Sequence, residues 1–219
     1  MVRRFDPSDL PASPDLRFEV DLWAQGFIRL AGIDEAGRGA WAGPVSAGAV
    51  VLPLDPNLLE QLPEVRDSKE MIPSQRTFWA HHIKRVAAAW GVGFASSLEI
   101  DALGIVPATR LAMQRAIAAL GITPDHLLID AVRLPEIPLP QTSLIKGDAR
   151  SLSIAAASVL AKTARDTLLV QFDEQYPGYG FARHKGYGTA LHAEALQRLG
   201  PCPIHRFCFA PIAALNSLL

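Results

Sequence analysis

Cysteine is nearly missing from this chain: Cys202 and Cys208 are the only two in 219 residues. That argues against a disulfide framework and fits a reducing cytoplasm, the expected compartment. Also missing is any apolar run near the ~20 residues of a membrane span, so no membrane association is expected. The opening stretch MVRRFDPSDLPASPDLRF has no apolar centre and does not read as a secretory signal. Its Pro, Asp and Ser content predicts a short, poorly ordered arm over residues 1–26. Strong charge of either sign is absent, 21 Lys and Arg being offset by 22 Asp and Glu. A nucleic-acid partner usually leaves a basic footprint, and only the distribution offers one: eight Lys/Arg against five acids from Lys146 to Arg206. A nucleotide-type phosphate loop is lacking too. Gly37, Gly39 and Gly43 are spaced G-x-G-x-x-x-G, and no Gly-Lys-Ser/Thr ending follows. What remains is a globular composition, 49% hydrophobic, at a length that suits one sizeable core rather than two full domains.

The informative stretch is IRLAGIDEAGRG, from Ile28 to Gly39. An apolar run ends in two adjacent carboxylates, Asp34 and Glu35, followed at once by Gly37, Arg38 and Gly39. Carboxylates a few ångströms apart repel, and a divalent cation removes the conflict. Gly-Arg-Gly beside them supplies backbone N–H groups and a cation suited to a phosphate or a sugar. Alone, this would pass for a strand and a polar turn. Two further runs end alike: HLLIDA in Asp130, and TSLIKGDARS in Lys146, Gly147 and Asp148. If the three strands lie side by side, their ends form one acidic cluster. Lys146 would then balance the acids or touch phosphate.

Along the chain, strands are expected at Phe27–Ile33, Pro44–Leu52, Gly91–Ser97, His126–Asp130 and Thr142–Ile145. Residues 54–73 carry several prolines and read as irregular. Helices are expected from Ser74 to Ala89, between Pro107 and Gly121, over Leu152–Gln175, and over Thr189–Leu199 with Gly200 as stop. Adjacent strands early and strand–helix alternation later predict a mixed α/β sheet covered by helices.

Three smaller motifs have ordinary explanations. Asp67-Ser68-Lys69 reads as a solvated turn. Arg183-His184-Lys185-Gly186-Tyr187-Gly188 is either a structural loop with a packed Tyr or one that sets a ring on a sugar or base while its cations meet phosphate. Cys202, His205 and Cys208 offer only three zinc ligands with no partner pair elsewhere, so small buried cysteines are expected.

Taken together, GIDEAGRG, DSK, LLIDA, KGDARSLSIAAASVLAK, HKGYGT and GPCPIHRFCF occur in the order seen in the type 2 ribonucleases H. The chain resembles the bacterial ribonucleases HII from about Phe27 onward. The resemblance implies an RNase H-like α/β domain over residues 27–219, a mixed sheet flanked by helices with a helical C-terminal extension. It implies cutting of RNA in RNA–DNA hybrids and incision at ribonucleotides embedded in duplex DNA, with Mg²⁺ or Mn²⁺. By motif, the family's catalytic, metal-binding carboxylates fall on Asp34, Glu35, Asp130 and Asp148. Its sugar-sensing loop falls on Gly37, Arg38 and Gly39, its junction-sensing tyrosine on Tyr187, and a phosphate contact on Lys69. Arg150 and Cys202 stand where Lys and Ser are commoner. The expected reaction is two-metal hydrolysis leaving 5′-phosphate and 3′-hydroxyl ends, by a monomer. Two rivals are an RNase H-like DNA nuclease or resolvase, against which the motifs at Gly37 and Tyr187 argue, and a non-catalytic nucleic-acid-binding module, which would not need four acids.

Overall fold

The computed structural model describes residues 10–55 and 57–216. In chain order the elements are α1 (Arg17–Ala24), β1 (Leu30–Ala36), β2 (Val45–Val51), α2 (Leu58–Gln61), α3 (Pro73–Val86), β3 (Ala89–Ala95), α4 (Ser97–Leu103), α5 (Ile105–Ala118), β4 (His126–Asp130), β5 (Gln141–Leu144), α6 (Leu152–Gln175), α7 (Phe181–His184), α8 (Ala190–Leu199) and α9 (Ala210–Asn216). The five strands form one sheet in the order β3-β2-β1-β4-β5. The β1–β2 and β2–β3 pairs are antiparallel, whereas β1–β4 and β4–β5 are parallel. This is the mixed sheet expected from the sequence.

Glycines decide how the sheet is covered. Gly32 of β1 and Gly48 of β2 face α6, where an added Cβ would lie 2.2 Å from the Ser153 carbonyl carbon and from the Ala157 carbonyl oxygen, respectively. The small-residue start of α6 therefore rests backbone to backbone on the two central strands. On the other face, Ile33, Val45, Ala49, Leu127 and Ile129 pack with Ala108, Ala112 and Met113 of α5 in the main core. Gly32→Ala is expected to lift α6 off β1, as overpacking does, at about 2–3 kcal/mol or roughly 4–12 °C in Tm. Thermal unfolding checks it.

β1 runs three residues beyond the expected end because Asp34, Glu35 and Ala36 continue the ladder opposite Gly48, Ala47 and Ser46. The acids thus belong to the strand itself and share its rigidity. Helix α4 was not foreseen. Its signal is a capping box in which Ser96 Oγ accepts from the Glu99 N–H and the Glu99 carboxylate accepts from the Ser96 N–H. The segment read as irregular holds α2 and a 3₁₀ turn at Ser68–Glu70. Helix α6 has the expected bounds, and Thr189 caps α8 by accepting from the His192 N–H.

The poorly ordered arm needs correction. Residues 1–9 lie outside the described residues, but Arg17–Ala24 is a helix, and Phe18 and Trp23 pack on Leu30, Leu128 and Ile154. Glu19, 1% exposed, pins it: its Oε1 accepts from Ser151 Oγ (2.6 Å), Ser153 Oγ (2.7 Å) and the Ser153 N–H (3.0 Å). The proline-rich lead-in hid an amphipathic turn whose acid caps the start of α6. Burial raises the Glu19 pKa above its ordinary 4.5 against those hydrogen bonds. The raised value means the folded state favours the protonated acid, so this group's contribution is present below pH 4.5 and declines as pH rises through the folded pKa. Denaturation of the parent and Glu19→Gln should therefore show the variant gaining relative stability as pH rises above 4.5; a constant difference refutes the titration.

Candidate active site

The parallel register Ile33↔Ile129 leaves Asp34 and Asp130 as the next neighbours at the carboxyl ends of the two central strands. Ligands of open α/β sheets are bound at such ends. Asp148 arrives from the 3₁₀ turn Gly147–Ala149 between β5 and α6, and the Gly147 N–H donates to Asp130 Oδ1 at 2.7 Å. A Cβ at Gly147 would lie 2.7 Å from Ile154 Cδ1 and displace that side-chain tip. Glu35 accepts from Arg38 Nη1 at 3.0 Å. All four sequence-predicted acids thus meet at one end of the sheet.

Their electrostatics are unfavourable as they stand. Burial, then the charges of Glu35, Asp130 and Asp148, raise the pKa of Asp34. Burial, Asp67 and Asp130 push Asp148 up to about 6, against the opposing pull of Lys69. Burial also raises Asp130, opposed by its bond from Gly147. Asp34 Oδ2 and Glu35 Oε2 are buried without a hydrogen-bond partner. Hard oxygen donors that repel one another, two of them with a buried oxygen left unpartnered, fit a divalent cation of the Mg²⁺ or Mn²⁺ kind. Among the described residues no group of three or more His, Cys, Asp or Glu is placed to hold a metal ion by itself. A Mg²⁺ site of this type is completed by water and substrate phosphate.

Above the acids opens a cleft of about 640 Å³. Asp34, Glu35 and Asp130 line it together with the loop Gly37–Gly39 and with Arg76, Lys162, Lys185 and Tyr187. Lys69 lines it with an exposed side chain whose Nζ lies 3.6 Å from Asp148. Lys146 does not line the cleft: it sits exposed in a left-handed turn at φ 53°. The wall of Arg76 and Lys162 went unread in the sequence. Asp166 holds both, at 3.0 and 2.7 Å, and their spacing along two separate helices gives no local signature.

The Tyr187 loop is fixed from behind. The Trp41 and Ala42 N–H groups donate to the Gly186 carbonyl, and a Cβ at Gly186 would lie 2.4 Å from the Ala42 carbonyl oxygen. Tyr187 presents its ring 5.4 Å from both Lys162 Nζ and the Arg165 guanidinium. Two histidines support this loop in one consistent set of neutral tautomers. His192 Nδ1–H donates to the Tyr187 carbonyl (3.0 Å), so its Nε2 accepts from His205 Nε2–H (3.0 Å), and His205 Nδ1 accepts from the Cys202 N–H (2.9 Å). Burial lowers both rings to about 4. With both His205 nitrogens engaged, zinc has no ligand there. Cys202 is buried as expected, whereas Cys208 is exposed, its backbone N–H donating to Asp101.

Comparison with known proteins fits this geometry. The ribonuclease HII family model matches residues 31–212. Ribonuclease HII of Synechococcus sp. (strain JA-3-3Ab) is 54% identical over 211 residues, 95% of this chain and 94% of that protein. The solved ribonuclease H2 of Pyrococcus horikoshii OT3 shares the fold with a TM-score of 0.73 at 24% identity, over 87% of this chain and 98% of that one. The PCNA:RNase HII complex structure from Archaeoglobus fulgidus matches with a TM-score of 0.71 at 25% identity, over 85% and 96%. With the match running from β1 into α9, the chain belongs to the ribonuclease HII family and is an endoribonuclease that cleaves RNA in RNA–DNA hybrids.

Proposed function

We propose that this ribonuclease also incises duplex DNA on the 5′ side of an embedded ribonucleotide, hydrolysing the phosphodiester with two divalent ions and leaving 5′-phosphate and 3′-hydroxyl ends. The observation that carries this reading is the meeting of Asp34, Glu35, Asp130, the Gly37–Gly39 loop and Tyr187 at one cleft, with Asp148 reached through Lys69. Asp34, Glu35, Asp130 and Asp148 would hold Mg²⁺ or Mn²⁺. Bound there, such ions supply a water of lowered pKa and neutralise charge gathering on the phosphate. Lys69, Arg76, Lys162 and Lys185 draw the backbone in by charge and carry no base information. Backbone N–H groups of the Gly37–Gly39 loop meet the 2′-hydroxyl, which distinguishes RNA from DNA at one position. Tyr187 packs on the next deoxyribose, where a second 2′-hydroxyl would crowd it.

The test is cleavage of a labelled DNA duplex holding one ribonucleotide, with and without Mg²⁺, beside the matched all-DNA duplex. Cleavage needs Mg²⁺ and leaves the ribonucleotide at the 5′ end of the downstream fragment. A cut on its 3′ side, or equal cutting of the all-DNA duplex, overturns the reading. Rates should fall with salt and vary little with base sequence.

A further inference from the structure

Two arginines lie fully buried beneath the cleft: Arg165 of α6 and Arg206 in the stretch before α9. Among the described residues neither is paired with a carboxylate; both spend donors on backbone carbonyls. Arg206 donates from Nη2 to Gly37 (2.7 Å), from Nη1 to Arg38 (2.8 Å) and from Nε to Gly43 (3.0 Å). Arg165 donates to Pro44 (2.9 Å), Lys185 (2.8 Å) and Ala42 (3.0 Å). Burying a cation without a counter-charge is expensive unless its donors are well satisfied. Retaining it here calls for a reason in the carbonyls it holds.

That reason follows from peptide geometry. In a trans peptide the C=O of one residue and the N–H of the next point in opposite directions, and the described chain has no cis bonds. Holding the Gly37 carbonyl turns the Arg38 N–H away from the guanidinium, and holding the Arg38 carbonyl turns away the Gly39 N–H. The two Nη groups of one planar fork therefore aim two successive donors together, away from the guanidinium, in a loop that lines the cleft. Neither N–H has a hydrogen-bond partner among the described residues. Gly39 also has an ordinary φ and open space where a Cβ would go. Nothing in the chain itself demands glycine there, so what needs the space is the incoming substrate.

We propose that Arg206 is a positioning residue for ribose selectivity: its fork on the Gly37 and Arg38 carbonyls presets the Arg38 and Gly39 N–H groups that meet the substrate 2′-hydroxyl. Arg165 ties the same loop, through Ala42 and Lys185, to the Tyr187 segment. The inference rests on reading Gly37–Gly39 as the ribose-sensing loop. Lysine at position 206 keeps the charge but cannot span three carbonyls.

The experiment measures kcat/KM on the single-ribonucleotide duplex and the inhibition constant of the matched all-DNA duplex as competitor, for the parent, Arg206→Lys and Gly39→Ala. Arg206→Lys should lose about tenfold or more in kcat/KM while the competitor's constant stays within about twofold, since phosphate contacts persist. Equal weakening of both quantities marks a merely structural residue and overturns the proposal. So does an unaffected Arg206→Lys when Gly39→Ala is impaired. An unimpaired Gly39→Ala instead overturns the ribose-sensing reading itself. Should Arg206→Lys fail to fold, NMR of the parent decides. The Arg38 and Gly39 amides and the Arg206 guanidinium protons should shift together with the ribonucleotide duplex and not with the all-DNA duplex; amides that move while the guanidinium does not refute the coupling.

Discussion

Asp34→Asn, Glu35→Gln and Asp130→Asn should each lower turnover about a thousandfold or more, equivalent to roughly 4 kcal/mol at ~1.4 kcal/mol per decade. Each removes a hard oxygen anion from a cluster whose remaining members cannot replace it, because β1 and β4 fix their positions through the ladder. Binding should change little, since deleting negative charge opposite phosphates is favourable. The stability readout should move the other way. Asp34 is 3% exposed and faces three other carboxylates, so Asp34→Asn relieves repulsion and the metal-free variant should melt at or above the parent. Asp148 stands behind the cleft lining, paired with Lys69, and its Asn variant should be partly rescued by Mn²⁺. Single-turnover cleavage with thermal melts in EDTA checks both halves; near-normal cleavage by folded Asp130→Asn would remove it from the site.

Tyr187→Ala should lose about ten- to a hundredfold on a duplex with one embedded ribonucleotide, as ring packing and a desolvated hydrogen bond are worth roughly 1–3 kcal/mol. The loop should survive the change, because its hold on Trp41 and Ala42 and its bond from His192 are made by backbone atoms. Phenylalanine should keep most activity. Comparing both variants on the single-ribonucleotide duplex and on a continuous hybrid separates this from acid loss, which affects every substrate. Equal rates for Tyr187→Ala and the parent on the first duplex would take the ring out of the site.

How much of this was legible beforehand depends on how local each signal is. The acids stood out because three apolar runs ended in them, and the side-by-side strands follow from that pattern. Caps such as Thr189 and Gly200 are short-range and readable. Helix α1 was missed because its stripe of Phe18, Leu22 and Trp23 spans barely two turns and follows prolines, and because its anchor, Ser151, lies 132 residues away. The phosphate-facing wall of Arg76 and Lys162 depends on Asp166 joining two helices distant in sequence. Arg165 did leave a trace, a cation inside the apolar stripe of α6, but its carbonyl partners come from two remote loops. Lys146 shows how adjacency misleads about position: it neighbours Asp148 in sequence, yet a left-handed turn leaves it exposed and outside the cleft lining.

The contact of α6 with Gly32 and Gly48 determines how the site tolerates change. Side chains in an ordinary core absorb a substitution by shifting rotamers, so neighbouring elements drift by fractions of an ångström. Main chain against main chain has no such slack. The helix that begins beside Asp148 and the strand that carries Asp34 share one fixed separation, whatever happens to the apolar residues around them. Any side chain added at position 32 or 48 therefore reaches the acids as a shift of α6 against β1 and β2.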